Sequence, residues 1–342
     1  MKAVRIYEHG GLDKLIYDDL PQPDCPSDKV KINIKASALN HLDIWVRNGL
    51  PGIPIPLPMI LGSDGSGTIV EVGSDVDKFQ KGEDVVIQPG TFCRICQHCK
   101  QGRENYCHGY GILGETENGT QTEFLVIDPA NIHSKPDHLN YVEAASMPLV
   151  FMTAYQMLIK RAKLQADEMV LIYGGTSGVG SASIQISKEL GAQVIATAGN
   201  DKKCEFSIKI GADHVVNHSQ DNWVDDVKNI TGKSGVNVVI EHIGVSTWKQ
   251  SLRVLSKGGR IVTCGATTGA DVNVNLAHLF IKQQSILGST MGSIPTFIEV
   301  MEKINEKKYT PIVDKVFPME DIRHAHEYME NRYQMGKVVV AV

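Results

Sequence analysis

The chain has 342 residues, a formal net charge of −5, 42% hydrophobic residues and seven cysteines. That length exceeds one typical hydrophobic core and predicts two domains. The acidic balance, with no clustered basic run, excludes general nucleic-acid binding, and the cysteines are too few and too unevenly placed for a secreted disulfide scaffold.

Met1-Lys2-Ala3-Val4-Arg5-Ile6 alternates as a strand, so no secretory signal is expected there. The longest apolar stretch, 142–159, contains Glu143, Pro148 and Gln156, so it reads as core rather than a membrane span. A cytoplasmic protein without a membrane partner is expected. Val30, Ile32 and Ile34 alternate with Lys31, Asn33 and Lys35, the period of a half-exposed strand, and further strands are predicted at 67–72 and 84–88. Between the first of these strands and the second, the prolines of 51–58 forbid helix and favour an extended loop, either a pocket wall or a plain surface connection.

Cys93-x-x-Cys96-x-x-Cys99 followed by Cys107 is the most specific chemical signal. Four soft thiolates on tight loops match tetrahedral Zn²⁺ and leave no open coordination position, which predicts a structural zinc. Disulfides or a thioredoxin-like Cys-x-x-Cys are the competing readings. Strands resume across 119–136, a helix starts near Tyr141 and another spans 153–163.

Next, the apolar run Met169-Val170-Leu171-Ile172-Tyr173 leads straight into Gly174-Gly175-Thr176-Ser177-Gly178-Val179-Gly180. A strand buried on both faces, a glycine turn and a helix are predicted, with Gly175, Gly178, Val179 and Gly180 bringing backbone N–H groups to a pyrophosphate. The pattern is Gly-x-x-Gly-x-Gly rather than the strict dinucleotide fingerprint, but a second apolar strand at 192–197 completes a βαβ unit. Helices predicted at 202–210, 221–230 and 247–255 alternate with strands at 236–240, 260–264 and 285–288, which implies a doubly wound parallel sheet. Helices at 296–305 and 321–331 and a strand at 337–340 close the chain. His324 and His326, two apart on a helix, point in different directions and make a poor metal pair.

An NAD-selective site places an acid at the end of the second strand, where this chain has Ala198. Gly199, Asn200 and Lys203, with His218 nearby, instead suit a 2′-phosphate, so NADPH is expected over NADH. The competing reading makes Lys202 and Lys203 an ordinary charged first turn with Asp201 close enough to weaken that preference.

From end to end the chain resembles the medium-chain dehydrogenase/reductase superfamily. The resemblance implies a GroES-like β-rich catalytic domain, 1–147 together with 293–342, carrying a zinc lobe at 90–110 and split by a Rossmann domain at 148–292. It places Cys93, Cys96, Cys99 and Cys107 on the structural zinc ligands, Thr153 beside the nicotinamide, and Ile243, Ser289 and Lys337 among the cofactor contacts. It also implies a homodimer or homotetramer, with the strand near 285–290 a candidate pairing edge.

The zinc alcohol dehydrogenases of that superfamily bind a second, catalytic zinc, and here the sequence departs from them. Asn40 stands at the first catalytic cysteine, Gly62-Ser63-Asp64 replaces Gly-His-Glu, and Leu149 replaces the last cysteine. Leu42 and Trp45 replace the proton relay, while Asp43 is retained. A lone carboxylate does not hold Zn²⁺ against water, so no catalytic zinc is expected. The pattern resembles the zinc-free quinone and enoyl reductases, which implies hydride transfer from NADPH to a small conjugated carbonyl or thioester. Asn40 is expected at the nicotinamide ribose or substrate oxygen, Thr153 against the ring, Asp64 organising a water or donor, and Trp45 as an apolar wall, with the proton taken from solvent. Two other readings stay open: an alcohol dehydrogenase whose metal uses Asp64 with His41, and an NADPH-binding structural or regulatory protein with little turnover.

Overall fold

The computed structural model describes residues 1–50 and 52–342. Two compact units share the chain: residues 1–149 with 293–298 and 311–342, and residues 150–292 with 299–310. Pro51, part of the expected proline loop, lies outside the described residues; of the remainder, Ile53, Pro54, Pro56 and Leu57 are exposed and Ile55 packs partly on the core.

In the first unit a seven-stranded sheet runs in the order Ile132–Ser134, Asp84–Ile87, Asp64–Val72, Val30–Ala38, Lys337–Ala341, Val313–Pro318, with Phe124–Ile127 beside the first half of Val30–Ala38. The alternation read from 30–35 is realised: Val30, Ile32 and Ile34 are buried while Lys35 is exposed. Beyond it Ala36, Ser37 and Ala38 are buried on both faces, because the carboxyl-terminal strand pairs there in the register Val339↔Ala38 and Val340↔Ser37. That register continues as a hydrogen bond from the Leu39 N–H to the Val338 carbonyl, 2.9 Å. Residues almost 300 positions apart are thereby placed side by side.

The helix His41–Asn48 follows at once and buries Asp43, Ile44, Val46 and Arg47. Arg47, 2% exposed, is paired with Glu330, donates from Nε to the Gly10 carbonyl (3.2 Å) and donates from Nη1 to Nδ1 of His326 (3.2 Å). His326 is fully buried on the helix Ile322–Glu330, whereas His324 is exposed beside Asp321, so the two point apart as their spacing predicts.

The second unit is built on a six-stranded, wholly parallel sheet in the order His214–Asn217, Gln193–Ala198, Met169–Ile172, Val236–Glu241, Leu255–Thr263, Ser285–Gly288. This is the doubly wound order whose switch point lies between the first and fourth strands of the unit. The strand His214–Asn217 and the helix Leu276–Lys282 have no counterpart in the expected elements. The first is only four residues long, and the second exposes Leu276, Phe280 and Ile281, so neither shows a clean apolar period. The helix expected from Thr153 begins instead at Pro148, since proline suits a first helical position, and after Tyr155 it widens into a π-helix, Gln156–Ala162. Residues 299–310 join this unit through the ion pairs Lys160–Glu299 (2.7 Å) and Lys303–Glu189 (2.9 Å) and the stacked rings of Phe151 and Tyr309. The contact boundary therefore departs from the expected one within the helix Ile294–Asn305. Among the described residues no helix is long and apolar enough to cross a membrane.

Candidate active site, cofactor turn and zinc lobe

Asn40 ends the run of the Val30–Ala38 strand and caps the helix His41–Asn48 in extended geometry (φ −127°, ψ 161°). Its own N–H donates to Oδ2 of Asp43 at 2.7 Å, and the Gly62 N–H donates to Oδ1 at 2.9 Å. Gly62 makes that second bond at φ +96°, a conformation that L side chains rarely adopt. Burial pushes the Asp43 carboxyl up to about 6 despite these two backbone donors and the nearby Lys337 charge. Asp43 is thus a structural anchor for the Asn40 turn.

The Asn40 carboxamide meets Asp64 and Lys337. Its Nδ2 donates to Asp64 Oδ2 at 2.9 Å, and its Oδ1 accepts from Lys337 Nζ at 2.6 Å. Lys337 Nζ also donates to the same Asp64 Oδ2 at 2.9 Å, while Asp64 Oδ1 accepts the Leu149 N–H at 2.8 Å. The Asp64–Lys337 ion pair is buried, with side-chain exposures of 0% and 5%. A buried carboxylate of this kind is tolerable only with a matching cation and full hydrogen bonding, and here it has both. Asp64 is therefore bound up with Lys337, Asn40 and Leu149 rather than left to organise a water, and the Asn40 carboxamide is oriented with its oxygen toward Lys337. The expectation that Lys337 serves with the cofactor group says nothing of this cluster. Its missing signal is distance in sequence, 297 positions from Asn40.

Trp45 is half-buried and meets the His41 ring edge-on, at a centroid distance of 5.9 Å. Ser63 donates its hydroxyl to the Leu113 carbonyl at 2.8 Å. A groove of about 590 Å³ opens elsewhere in this unit, beside Phe92, Arg94 and the Phe124–Ile127 strand, and none of the candidate catalytic or cofactor residues lines it.

In the parallel unit the glycine turn leads into the helix Gly178–Glu189. Ser177 caps it, its hydroxyl accepting the Gly180 N–H at 3.0 Å, and the Ser181 N–H returns to the Ser177 carbonyl at 2.8 Å. Gly178 and Val179, both half-buried, carry the first two N–H groups of the helix, which have no partner within it. Gly175 differs from expectation: its N–H is held by the Thr197 carbonyl at 2.9 Å, so it shapes the turn instead of meeting a ligand. Thr153 is buried with Oγ1 3.9 Å from the Met291 sulfur.

At the end of the Gln193–Ala198 strand, Gly199, Asn200, Lys203 and His218 come together. Asn200 caps the helix Asp201–Lys209 through the Lys203 N–H, 3.0 Å, and an exposed His218 bonds Thr197 Oγ1 through Nδ1, 3.0 Å. The Asp201 carboxylate accepts from Asn217, 3.1 Å. Ile243 has both backbone groups engaged, N–H to Glu241 (2.7 Å) and carbonyl to Thr268 (2.7 Å), so only its side chain is left for a ligand. Ser289 donates its N–H to Thr263 at 2.9 Å, and its buried hydroxyl has no partner among the described residues. Glu241, absent from the expected site, is fully buried and gathers the N–H groups of Ile243 and Gly244 and the hydroxyls of Thr247 and Ser251. An acid closing an apolar strand just before Gly244 was the available signal.

The four lobe cysteines converge, with all sulfurs within 4.8 Å of one another. Sγ separations are 3.5 Å for Cys96–Cys99 and Cys107–Cys93 and 3.9 Å for Cys93–Cys99. A tetrahedron of Zn–S bonds near 2.3 Å has edges of about 3.8 Å, so the thiolates fit that ion, and these contacts are too long for disulfides. Backbone N–H groups of Cys96 and Ile95 hold the Cys93 thiol down at about 6, while burial pushes the Cys99 thiol up to about 12. A cation at the centre would resolve that conflict.

Residues 178–306 match the zinc-binding dehydrogenase family and residues 26–137 the alcohol dehydrogenase GroES-like domain. A zinc-type alcohol dehydrogenase-like protein of Schizosaccharomyces pombe is 31% identical, with 98% of this chain and 97% of the relative covered. The chain belongs to the medium-chain dehydrogenase/reductase superfamily. Within it, a quinone oxidoreductase of Rattus norvegicus is 28% identical over 99% of this chain and 97% of its own. The crystal structure of an NAD-dependent alcohol dehydrogenase is 40% identical with a TM-score of 0.96, each chain covered over 100% of its length. This medium-chain dehydrogenase/reductase is an oxidoreductase, and its parallel unit is of the kind that binds NAD(P).

Zinc-type members raise the question of a catalytic metal, and the donor set does not fit one. Asn40, Ser63 and Leu149 offer no thiolate or imidazole, and Asp64 is already taken up by an ammonium, an amide and a backbone N–H. Among the described residues the cysteine cluster is the only group of three or more His, Cys, Asp or Glu side chains placed to hold a metal.

Proposed function

We propose that this protein is an NADPH-dependent reductase of conjugated carbonyl acceptors, quinones, enones or short enoyl thioesters such as acryloyl-CoA, acting by direct hydride transfer without a catalytic metal. The observation that carries the reading is the donor set: Asn40, Ser63 and Leu149 stand where a zinc-type relative has thiolates and an imidazole, and the Asn40 carboxamide is tied to Lys337 and Asp64. Without a Lewis acid a simple ketone or alcohol is a poor substrate, whereas a conjugated acceptor takes hydride at carbon while charge moves to a distant oxygen. NADPH, when bound, supplies the hydride. Gly178 and Val179 hold its pyrophosphate on the helix start, Thr153 and Met291 support the nicotinamide, and Asn200, Lys203 and His218 receive the 2′-phosphate. The cysteine lobe holds one structural Zn²⁺.

Metal content and turnover test this together. About one Zn²⁺ per chain is expected, lost only with the fold, and NADPH oxidation with 1,4-benzoquinone or acryloyl-CoA that mild chelation leaves intact. Two Zn²⁺ per chain, one of them removable together with activity on alcohols, would sink the reading. Cofactor choice is tested separately: Lys203→Glu is expected to raise KM for NADPH about tenfold, the worth of one charge-assisted contact, with little effect on NADH. An unchanged NADPH/NADH ratio would remove Lys203 from the phosphate site.

A homodimer or homotetramer is part of the proposal. The edge strand Ser285–Gly288 and the neighbouring helix expose Leu276, Phe280, Ile281 and Ile286, an apolar surface suited to pairing with a second copy.

A further inference from the structure

We propose that Thr197 sets the cofactor preference of this protein: its buried hydroxyl aims the His218 imidazole at the 2′-phosphate of NADPH. The inference rests on the NADPH reading and deepens it, because Thr197 acts on the phosphate only through His218 and is a positioning residue.

Thr197 is fully buried near the end of the strand Gln193–Ala198. Its backbone carbonyl accepts the Gly175 N–H at 2.9 Å, and its Oγ1 accepts the Gly174 N–H at 3.3 Å. The same Oγ1 lies 3.0 Å from Nδ1 of His218. One residue thereby joins the glycine turn that leads to the pyrophosphate helix with the histidine beside Asn200 and Lys203. Nothing in the sequence marks it, since a threonine in an apolar strand reads as an ordinary strand former.

A hydroxyl has one hydrogen and two lone pairs. The Gly174 N–H only donates and takes one lone pair, which leaves the hydrogen and the second lone pair for His218. A neutral ring that accepts at Nδ1 and a charged ring that donates there are both served, and in both the other nitrogen, Nε2, carries a proton. Nε2 lies over Gly199: a Cβ built on that residue would stand 3.3 Å from it, so the missing side chain makes room for the ring. A phosphate oxygen only accepts, and an N–H presented in this orientation is what it requires.

The backbone around His218 is held without the Thr197 hydroxyl. The His218 N–H donates to the Ala198 carbonyl at 2.9 Å, and the Ser219 hydroxyl donates to the Gly199 carbonyl at 2.8 Å. Asn217 donates to the Asp201 carboxylate at 3.1 Å, which gives the nearby acid a partner of its own. Removing the Thr197 hydroxyl therefore releases the imidazole and one long bond at Gly174, while the chain stays in place.

The test measures Kd for NADPH and for NADH, by cofactor fluorescence, in wild type, Thr197→Val, Thr197→Ser, His218→Ala and the double variant Thr197→Val/His218→Ala. NADH lacks the 2′-phosphate, so its Kd reads the glycine turn and the ratio of the two Kd values reads the phosphate contact. Wild type is expected to prefer NADPH. Thr197→Val and His218→Ala are each expected to cut that preference about tenfold, the worth of one charge-assisted contact, and Thr197→Ser to keep it within about twofold. Because the two residues act in series, the double variant is expected to lose about tenfold as well. A product of the two single losses, about a hundredfold, would make them independent and overturn the proposal. So would a Thr197→Val protein that binds both cofactors more weakly in equal measure, the mark of a purely structural role. Where valine prevents folding, Thr197→Ala carries the same comparison, with NADH binding as the check on the fold. Equal affinities for NADPH and NADH in wild type would fail the NADPH reading and this inference with it; a wild-type preference that survives Thr197→Val would fail Thr197 alone.

Discussion

Gly180→Ala is expected to abolish usable NADPH affinity, weakening Kd by about 100-fold or more, and to destabilise the parallel unit by about 3 kcal/mol. A Cβ built on Gly180 would lie 2.1 Å from the Gly174 carbonyl oxygen, 2.8 Å from its carbon and 2.9 Å from Ser177 Oγ. These are backbone atoms and the capping hydroxyl of the same turn, so no flexible side chain can yield. The helix start must move, and Gly178 and Val179 move with it. Gly258→Ala is the control: it has φ +74° but open space around the site, which costs only about 1 kcal/mol of left-handed strain and touches no candidate residue. Cofactor fluorescence titration and urea denaturation of the two variants measure both effects. Wild-type NADPH affinity in Gly180→Ala would show that the turn does not hold the pyrophosphate.

The second large effect is on acid stability. Burial, and then the Arg47 charge, holds His326 down at about 3, whereas an unfolded histidine titrates near 6.5. The unfolded chain therefore binds a proton that the native site refuses. Stability from this group is complete above pH 6.5 and is lost as the pH falls toward 3, amounting to about 3 kcal/mol by pH 4. His326→Asn keeps an acceptor for Arg47 Nη1 and removes the titration, and it also removes a buried Nε2 that has no partner among the described residues. Urea denaturation at pH 7 and pH 4 is expected to show wild type losing about 3 kcal/mol more than His326→Asn. Comparing the two proteins cancels any loss of metal from the cysteine lobe, which is common to both. Parallel losses in wild type and variant would show that His326 does not carry the acid lability.

Local signals made much of the protein legible. Cys93 to Cys107 lie within 15 consecutive positions, so chain connectivity alone forces them together, and tetrahedral ligation selects the spacing. The strand–glycine–helix run at 169–180 is equally self-contained, since propensity, turn chemistry and apolar pattern agree over a dozen residues. Helix His41–Asn48 was less legible because its eight residues hold buried Asp43 and Arg47 where an apolar stripe is expected. The role of Gly175 was misplaced for a related reason. A glycine looks alike in sequence whether its N–H meets a ligand or the carbonyl of a neighbouring strand.

By itself the sequence determined the two-unit architecture, the superfamily, the thiolate lobe and the loss of the zinc-type ligands at Asn40, Ser63 and Leu149, because each is a matter of residue type at short range. Only the tertiary structure decided what the buried polar groups meet. Lys337 reaches Asn40 and Asp64 through the antiparallel pairing of the last strand with Val30–Ala38, and Arg47 reaches His326 and Glu330 through helix packing across 279 and 283 positions. A lysine or histidine in isolation reads as an exposed surface charge. What makes these ones partners is desolvation, which acts only once distant strands and helices have closed over them and left each buried charge with a single matching group.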